Sequence, residues 1–230
     1  MTGACTGGTG AYHETRLARD PKRDIVWGAL WTYYFRHLVP TDACVVDLGC
    51  GYGDFINHVQ ARRRIAIDRW PGFPAHLAPG VEAIVGDATD LAGLPDGAVD
   101  FVFASNLFEH LTQDDLARVL EQLQGKLSDR GEIAMLQPNY RYCQREYFDD
   151  YTHISIYSHI SLADFLTAHG YEVLDVRPRF LPLTVKSRWP VRPWLIRLWL
   201  ALPWNGLGKQ MLLRARPRRR ASNGAAAGPR

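Results

Sequence analysis

What this 230-residue sequence lacks narrows it first. It has four cysteines, Cys5, Cys44, Cys50 and Cys143, with no CxxC spacing and no histidine at zinc-ligand separation. A disulfide framework and a zinc module are thereby set aside; reduced structural cysteines and no metal are expected. No window supplies the roughly 18 uninterrupted apolar residues of a membrane-spanning helix. Met1 to Gly10 is Gly/Thr-rich and uncharged, without the basic start and apolar stretch of a signal peptide, so a cytoplasmic location is expected. Acidic residues are missing from 177–230, which carry 13 Lys/Arg, whereas residues 1–176 carry 14 Lys/Arg against 24 Asp/Glu. This division lies hidden in a net charge of +3. It points the C-terminal end at something anionic, whether a phosphorylated substrate, a membrane surface or nucleic acid; a basic tail without a specific partner is the alternative.

What is present is enough apolar material, 47% of the residues, for one full-sized core. Short apolar runs of strand length occur at Cys44–Leu48, Arg64–Asp68, Val81–Val85, Ala98–Ala104, Gly131–Gln137 and Tyr171–Val176, with Lys209–Arg214 as a candidate last strand. Helical spacing fills the region from Arg16 to Leu38, broken at Pro21, and then Phe55–Ala61, Asp114–Leu127, Ser161–His169 and Trp194–Leu202. Strand alternating with helix predicts a parallel, doubly wound α/β sheet covered on both faces. Residues 1–12 are expected to be disordered, 13–216 to form a single domain, and 217–230 to be a loose basic tail. Within the domain, 138–160 form a long aromatic insert, and connections of that length are usually functional. A second, Trp/Pro-rich insert occupies 182–207.

The chemistry gathers first at Val45-Val46-Asp47-Leu48-Gly49-Cys50-Gly51-Tyr52-Gly53-Asp54-Phe55, a buried strand running into a glycine-rich turn. Glycines let the backbone bend tightly and approach a ligand closely, and ligands of open α/β sheets sit at the carboxyl ends of the strands. A dinucleotide site needs a third glycine where Asp54 stands, and a P-loop needs a lysine that is not there. The remaining pattern, Asp-x-Gly-x-Gly-x-Gly, resembles motif I of the class I S-adenosylmethionine (SAM) methyltransferases. Two further acids fit. Asp68 ends the second strand 21 positions after Asp47, and Asp87 follows the third in Val85-Gly86-Asp87-Ala88.

The resemblance, from about residue 24 to 216, implies a Rossmann-like seven-stranded sheet. That sheet is mostly parallel, with one antiparallel strand near the C-terminus and helices on both faces. It implies SAM as cofactor and S-adenosylhomocysteine as product. Asp47, Gly49, Cys50, Gly51, Gly53, Asp68, Arg69, Asp87, Ala88, Ser105 and Asn106 would hold it, with Asp68 on the ribose hydroxyls and Asp87 on the adenine amino group. The Glu109-His110 pair resembles one found in many small-molecule methyltransferases. His110 could pack against the cofactor, remove a proton from a hydroxyl, or serve only as a packing histidine. In the aromatic insert, which in resembling bacterial enzymes covers the acceptor site, His153 is the candidate base because imidazole titrates near neutral pH; a buried structural histidine is the alternative. Tyr140, Arg141, Arg145 and Tyr147 could frame a polar acceptor, the arginines suiting phosphate or carboxylate.

Pro178–Arg188, Trp194–Pro203 and Gly208–Met211 together resemble a subgroup of bacterial methyltransferases associated with glycan, glycolipid or natural-product assembly. O-methylation of a small-molecule or saccharide-type hydroxyl is the first expectation, the acceptor phosphorylated or glycosidic in character. The alternative is the same fold holding SAM for a non-methylating reaction, or as a regulatory or scaffold partner. Nucleic acid as substrate is disfavoured, since no recognised module is present. The Trp194–Leu202 helix, with basic residues across 188–220, could lie on an anionic membrane surface, roof the site or form a dimer contact. Monomer and homodimer both remain open.

Overall fold

The computed structural model describes residues 20–182, 191–202 and 206–218. The expected disorder of 1–12, the piece of helix before Pro21, Cys5, Arg188 and the end of the basic tail lie outside them.

Seven strands form one sheet: β1 (Cys44–Leu48), β2 (Arg63–Asp68), β3 (Val81–Val85), β4 (Val99–Ser105), β5 (Leu127–Pro138), β6 (Tyr171–Leu181) and β7 (Gln210–Pro217). Their order is β3-β2-β1-β4-β5-β7-β6. All pairings from β3 to β5 are parallel, while β7 lies antiparallel to both neighbours, with Leu136 opposite Leu212 and Val176 opposite Leu213. The expected single antiparallel strand is thus β7.

Alternation along the strands divides the core in two. Val46, Leu48, Ile65, Ile67, Val102 and Met135 face one side, where Leu116, Val119, Leu120 and Leu123 of α2 (Gln113–Lys126) and Leu162 and Leu166 of α4 (His159–Ala168) cover them. Val45, Ala66, Phe101, Phe103, Ala134 and Leu212 face the other, under Val26, Trp27, Leu30 and Trp31 of α1 (Pro21–Tyr33). The helix starts follow capping rules. Asp20 accepts from the Lys22 amide with Pro21 in the first turn, Thr112 accepts from the Asp115 amide, and Ser158 and Ser161 cap each other reciprocally.

The insert after β5 contains one helical turn, α3 (Tyr140–Cys143). Helix α5 (Pro193–Ala201) sets Ile196 and Leu200 against the α1 side of the core, and its Trp199 indole donates to the Phe180 carbonyl at 2.7 Å.

One expected element differs. Phe55–Ala61 is a chain of turns, not a regular helix. Gly51 and Gly53 hold left-handed φ values of 55° and 71°, and β2 already begins at Arg63, so few residues remain for helix. The Asn57 side chain also ties this segment to the loop after β2, donating to His76 O and accepting from Ala78 N.

Candidate active site

The glycine turn is built by backbone bonds. The amides of Gly49 and Cys50 both donate to the Ile67 carbonyl, at 2.8 and 3.1 Å, carrying the chain from β1 across the end of β2. Gly49 has a φ of 73°, and a Cβ there would lie 2.9 Å from Leu107, so both conformation and space require glycine. Above this turn opens a cleft of about 240 Å³. Its lining contains Asp47, Gly49, Cys50, Gly51, Asp68, Arg69, Asp87, Ala88, Ser105, Asn106 and His110. Of the expected cofactor residues only Gly53 falls outside, buttressing the turn from behind, where a Cβ would meet Leu77 at 2.7 Å.

The three strand-end acids stand in different surroundings. Asp68 accepts from the Gly51 amide on one oxygen and the Trp70 amide on the other, each at 2.8 Å. Asp87 accepts from the Thr89 amide and hydroxyl, bonds that hold its carboxyl below the usual range. Asp47 is buried, and desolvation raises its carboxyl well above the usual range, with Asp54 and Asp68 adding like-charge repulsion.

Sequence reasoning missed part of the lining. Arg23 and Trp27 reach the cleft from α1, and Arg23 is paired with Asp54 at 2.6 Å. No local pattern announces a helix folding back over a turn some thirty residues later. Thr152, from the aromatic insert, closes the opposite end beside His110. Asn106 departs from β4 with a φ of 49°, a conformation asparagine tolerates better than most residues. Its side-chain oxygen accepts from Gln210 at 2.9 Å.

The histidines divide differently from expectation. His110 lines the cleft; His153 does not. His153 stands behind it, ring centroids 4.9 Å apart. The His153 Nδ1–H donates to the Tyr147 carbonyl at 2.6 Å, and its Nε2 lies 4.0 Å from Glu109, so both ring nitrogens are directed inward. Burial, reinforced by His153, lowers the pKa of His110. Glu109 is 0% exposed, neither of its carboxylate oxygens has a hydrogen-bond partner, and burial pushes its pKa up to about 8.

The four expected acceptor residues also stand away from the cleft lining. Tyr147 is 1% exposed and donates to the Ser155 carbonyl, a core role. Arg141 and Arg145 are exposed, and Tyr140 is half-buried against Tyr147.

Helix α5 contributes nothing to the cleft lining, so it packs on the α1 side without roofing the site. No helix among the described residues is long and apolar enough to cross a membrane.

Comparison with known proteins agrees with this architecture. A SAM-dependent methyltransferase from Archaeoglobus fulgidus is 22% identical, with a TM-score of 0.62 over 89% of this chain and 97% of its own. The 1,6-didemethyltoxoflavin-N1-methyltransferase of Burkholderia thailandensis is 18% identical, with a TM-score of 0.60 over 91% of this chain and 84% of its own. A putative methyltransferase solved with the Trm112 activator of Haloferax volcanii is 20% identical, with a TM-score of 0.60 over 86% of this chain and 91% of its own. At such identities these structures share the fold. A search of curated proteins found no match. The family model for the methyltransferase domain matches residues 22–176, from the start of α1 through most of β6, and the chain belongs to that family of SAM-dependent enzymes.

Proposed function

We propose that the protein transfers the methyl group of SAM to a hydroxyl of a small-molecule acceptor, saccharide or natural-product in type. The observation that carries the cofactor part is the meeting of Asp47, Asp68 and Asp87 in one cleft at the ends of adjacent parallel strands. In this reading Asp68 takes the ribose hydroxyls. Each of its oxygens already accepts one amide and keeps a further lone pair for the ligand. Asp87 takes the adenine amino group, with Arg69 and Ala88 alongside. Charge supports the choice. SAM, with a sulfonium and an ammonium against one carboxylate, brings net positive charge into a cleft holding Asp47, Asp54, Asp68 and Asp87, against Arg23 and Arg69, with Arg23 already tied to Asp54. A dinucleotide would instead bring a pyrophosphate into that acidic surface. A bound cation beside Asp47 would also stabilise its charged form, offsetting the cost of burial.

Methyl transfer from a sulfonium is an in-line displacement whose thioether leaving group needs no proton. The protein's work is alignment of nucleophile, methyl and sulfur, with a base where the nucleophile is an alcohol. Ser105 and Asn106 flank the methionine portion in this reading, and His110 serves as base. Its depressed pKa keeps the imidazole neutral and able to accept a proton near pH 7. His153 backs His110 without reaching the acceptor. On the α1 side of the molecule, α5 exposes Trp194 and Leu198 beside Arg192 and Arg197, which supports a peripheral contact with an anionic membrane surface at the inner face.

Calorimetry with SAM, S-adenosylhomocysteine and NAD, joined to an acceptor screen read by mass, tests the proposal. SAM binding and a product heavier by one methylene unit are expected. NAD binding without SAM binding rejects the cofactor assignment, and SAM binding without any methylated product favours a regulatory or scaffold role.

A further inference from the structure

Behind the cleft, three titratable side chains from two distant segments lie together. Glu109 and His110 follow β4, and His153 comes from the insert after β5. One ligand atom from each, a carboxylate oxygen and two imidazole nitrogens, lies within 4.8 Å of the others.

The protonation of both rings follows from their partners. A carbonyl only accepts, so the His153 Nδ1 facing the Tyr147 carbonyl at 2.6 Å carries the proton, and Nε2, 4.0 Å from Glu109, carries the lone pair. The His110 Nδ1 faces the Thr152 carbonyl at 3.1 Å and the Thr152 hydroxyl at 3.0 Å. That hydroxyl spends its own proton on Asp150, 2.6 Å away, so it too accepts from His110, and Nε2 again keeps the lone pair. Metal-binding histidines are commonly oriented in this way, through the ring N–H that does not ligate. The third member, Glu109, is completely buried, and neither carboxylate oxygen finds a donor. Leaving a buried carboxylate unpaired is costly.

We propose that Glu109, His110 and His153 bind one divalent first-row transition ion, of the zinc, cobalt or manganese class. Two imidazoles and one carboxylate suit such ions better than magnesium or calcium, which prefer oxygen throughout. Zinc bonds of about 2.0–2.1 Å place tetrahedral ligand atoms roughly 3.3 Å apart, so the widest pair closes by roughly 1.5 Å at most. Rotation of the Glu109 and histidine side chains supplies a movement of that size. The ion would pin the insert after β5 to the turn after β4, at the acceptor end of the cleft. While it is bound, the His110 lone pair is engaged, so the base role given to His110 belongs to the metal-free protein. The site stands on these three side chains and not on the cofactor assignment.

The test uses chelator-treated full-length protein titrated with Co²⁺, followed by visible absorption, and with Zn²⁺, followed by calorimetry. Glu109→Gln and His153→Gln are compared with wild type, and folding is checked by circular dichroism. One ion per chain, a cobalt spectrum of low coordination number, and at least tenfold weaker binding in either folded variant are expected. If one variant fails to fold, the other decides. Wild type that binds neither ion below millimolar concentration overturns the proposal, leaving a shared proton as the occupant. Binding unchanged in the folded variants overturns it too, placing the ion elsewhere. SAM calorimetry on the same preparation reads the cofactor assignment separately, so the two can fail independently.

Discussion

The two ends of the cleft are built by different means. At the cofactor end, the chain is held by its own backbone. Gly49, Cys50 and Gly51 donate amides to Ile67 and Asp68, and glycine fits where a Cβ would collide. At the acceptor end, side chains hold the backbone of other segments: His110 donates to the Thr152 carbonyl and Ser155 to the Leu111 carbonyl across more than forty residues, and His153 to the Tyr147 carbonyl six residues away. A backbone-built site is fixed by a few consecutive residues and tolerates little change. A side-chain-built site can be re-cut around a new acceptor while the sheet stays the same.

The sharpest way to break this contrast is His110→Asn. Loss of a general base lowers turnover by about 10²- to 10⁴-fold, and assays with the identified acceptor should show it in metal-free protein. Unchanged turnover leaves His110 as a packing residue.

Next in size is the pH response of Glu109. Its folded pKa of about 8 lies above the ordinary carboxylate value of about 4.3. Between those values the unfolded chain has released the proton and the folded one retains it, so stability falls as pH rises and levels off above about 8. The loss is on the order of a few kcal/mol. Thermal melts of chelated wild type against Glu109→Gln measure it, and equal slopes would show that Glu109 is ionised in the fold.

Asp68→Ala should weaken SAM by about 1.5–3 kcal/mol, the scale of hydrogen bonds to a charged group. Calorimetry showing undiminished affinity would move the ribose elsewhere. Gly49→Ala should cost about 1–2 kcal/mol of stability, because an L-residue resists the left-handed region; urea titration reads that loss, and a neutral result would mean the turn can relax away from Leu107. Of comparable size, replacing Arg192 and Arg197 together by Gln should weaken sedimentation with anionic vesicles by about 1 kcal/mol per charge at low salt. Equal sedimentation would remove α5 from any membrane surface.

The same contrast explains what could be read beforehand. The strands were legible because each is a short apolar run closed by a turn, and Asp68 and Asp87 stand at the ends of such runs in order. The glycine turn carried its own spacing. The role of Arg23 and Trp27 was not legible, since nothing near them in sequence says that α1 crosses the turn after β1. Nor was the inward turn of His153, which depends on the Tyr147 carbonyl, or the isolation of Glu109, which depends on what packs around it. The failed helix at Phe55–Ala61 has the same origin, because Asn57 spends its amide on a loop nearly twenty residues away.

The bond from Gln210 to Asn106 has a consequence for how the protein is made. Asn106 is translated more than a hundred residues before its partner, which opens the last strand to enter the sheet. At about 5–20 residues per second, that turn waits many seconds on the ribosome without its anchor. The nascent chain can lay down most of the sheet early, yet the corner at Asn106 acquires its final shape only when β7 slides between β5 and β6.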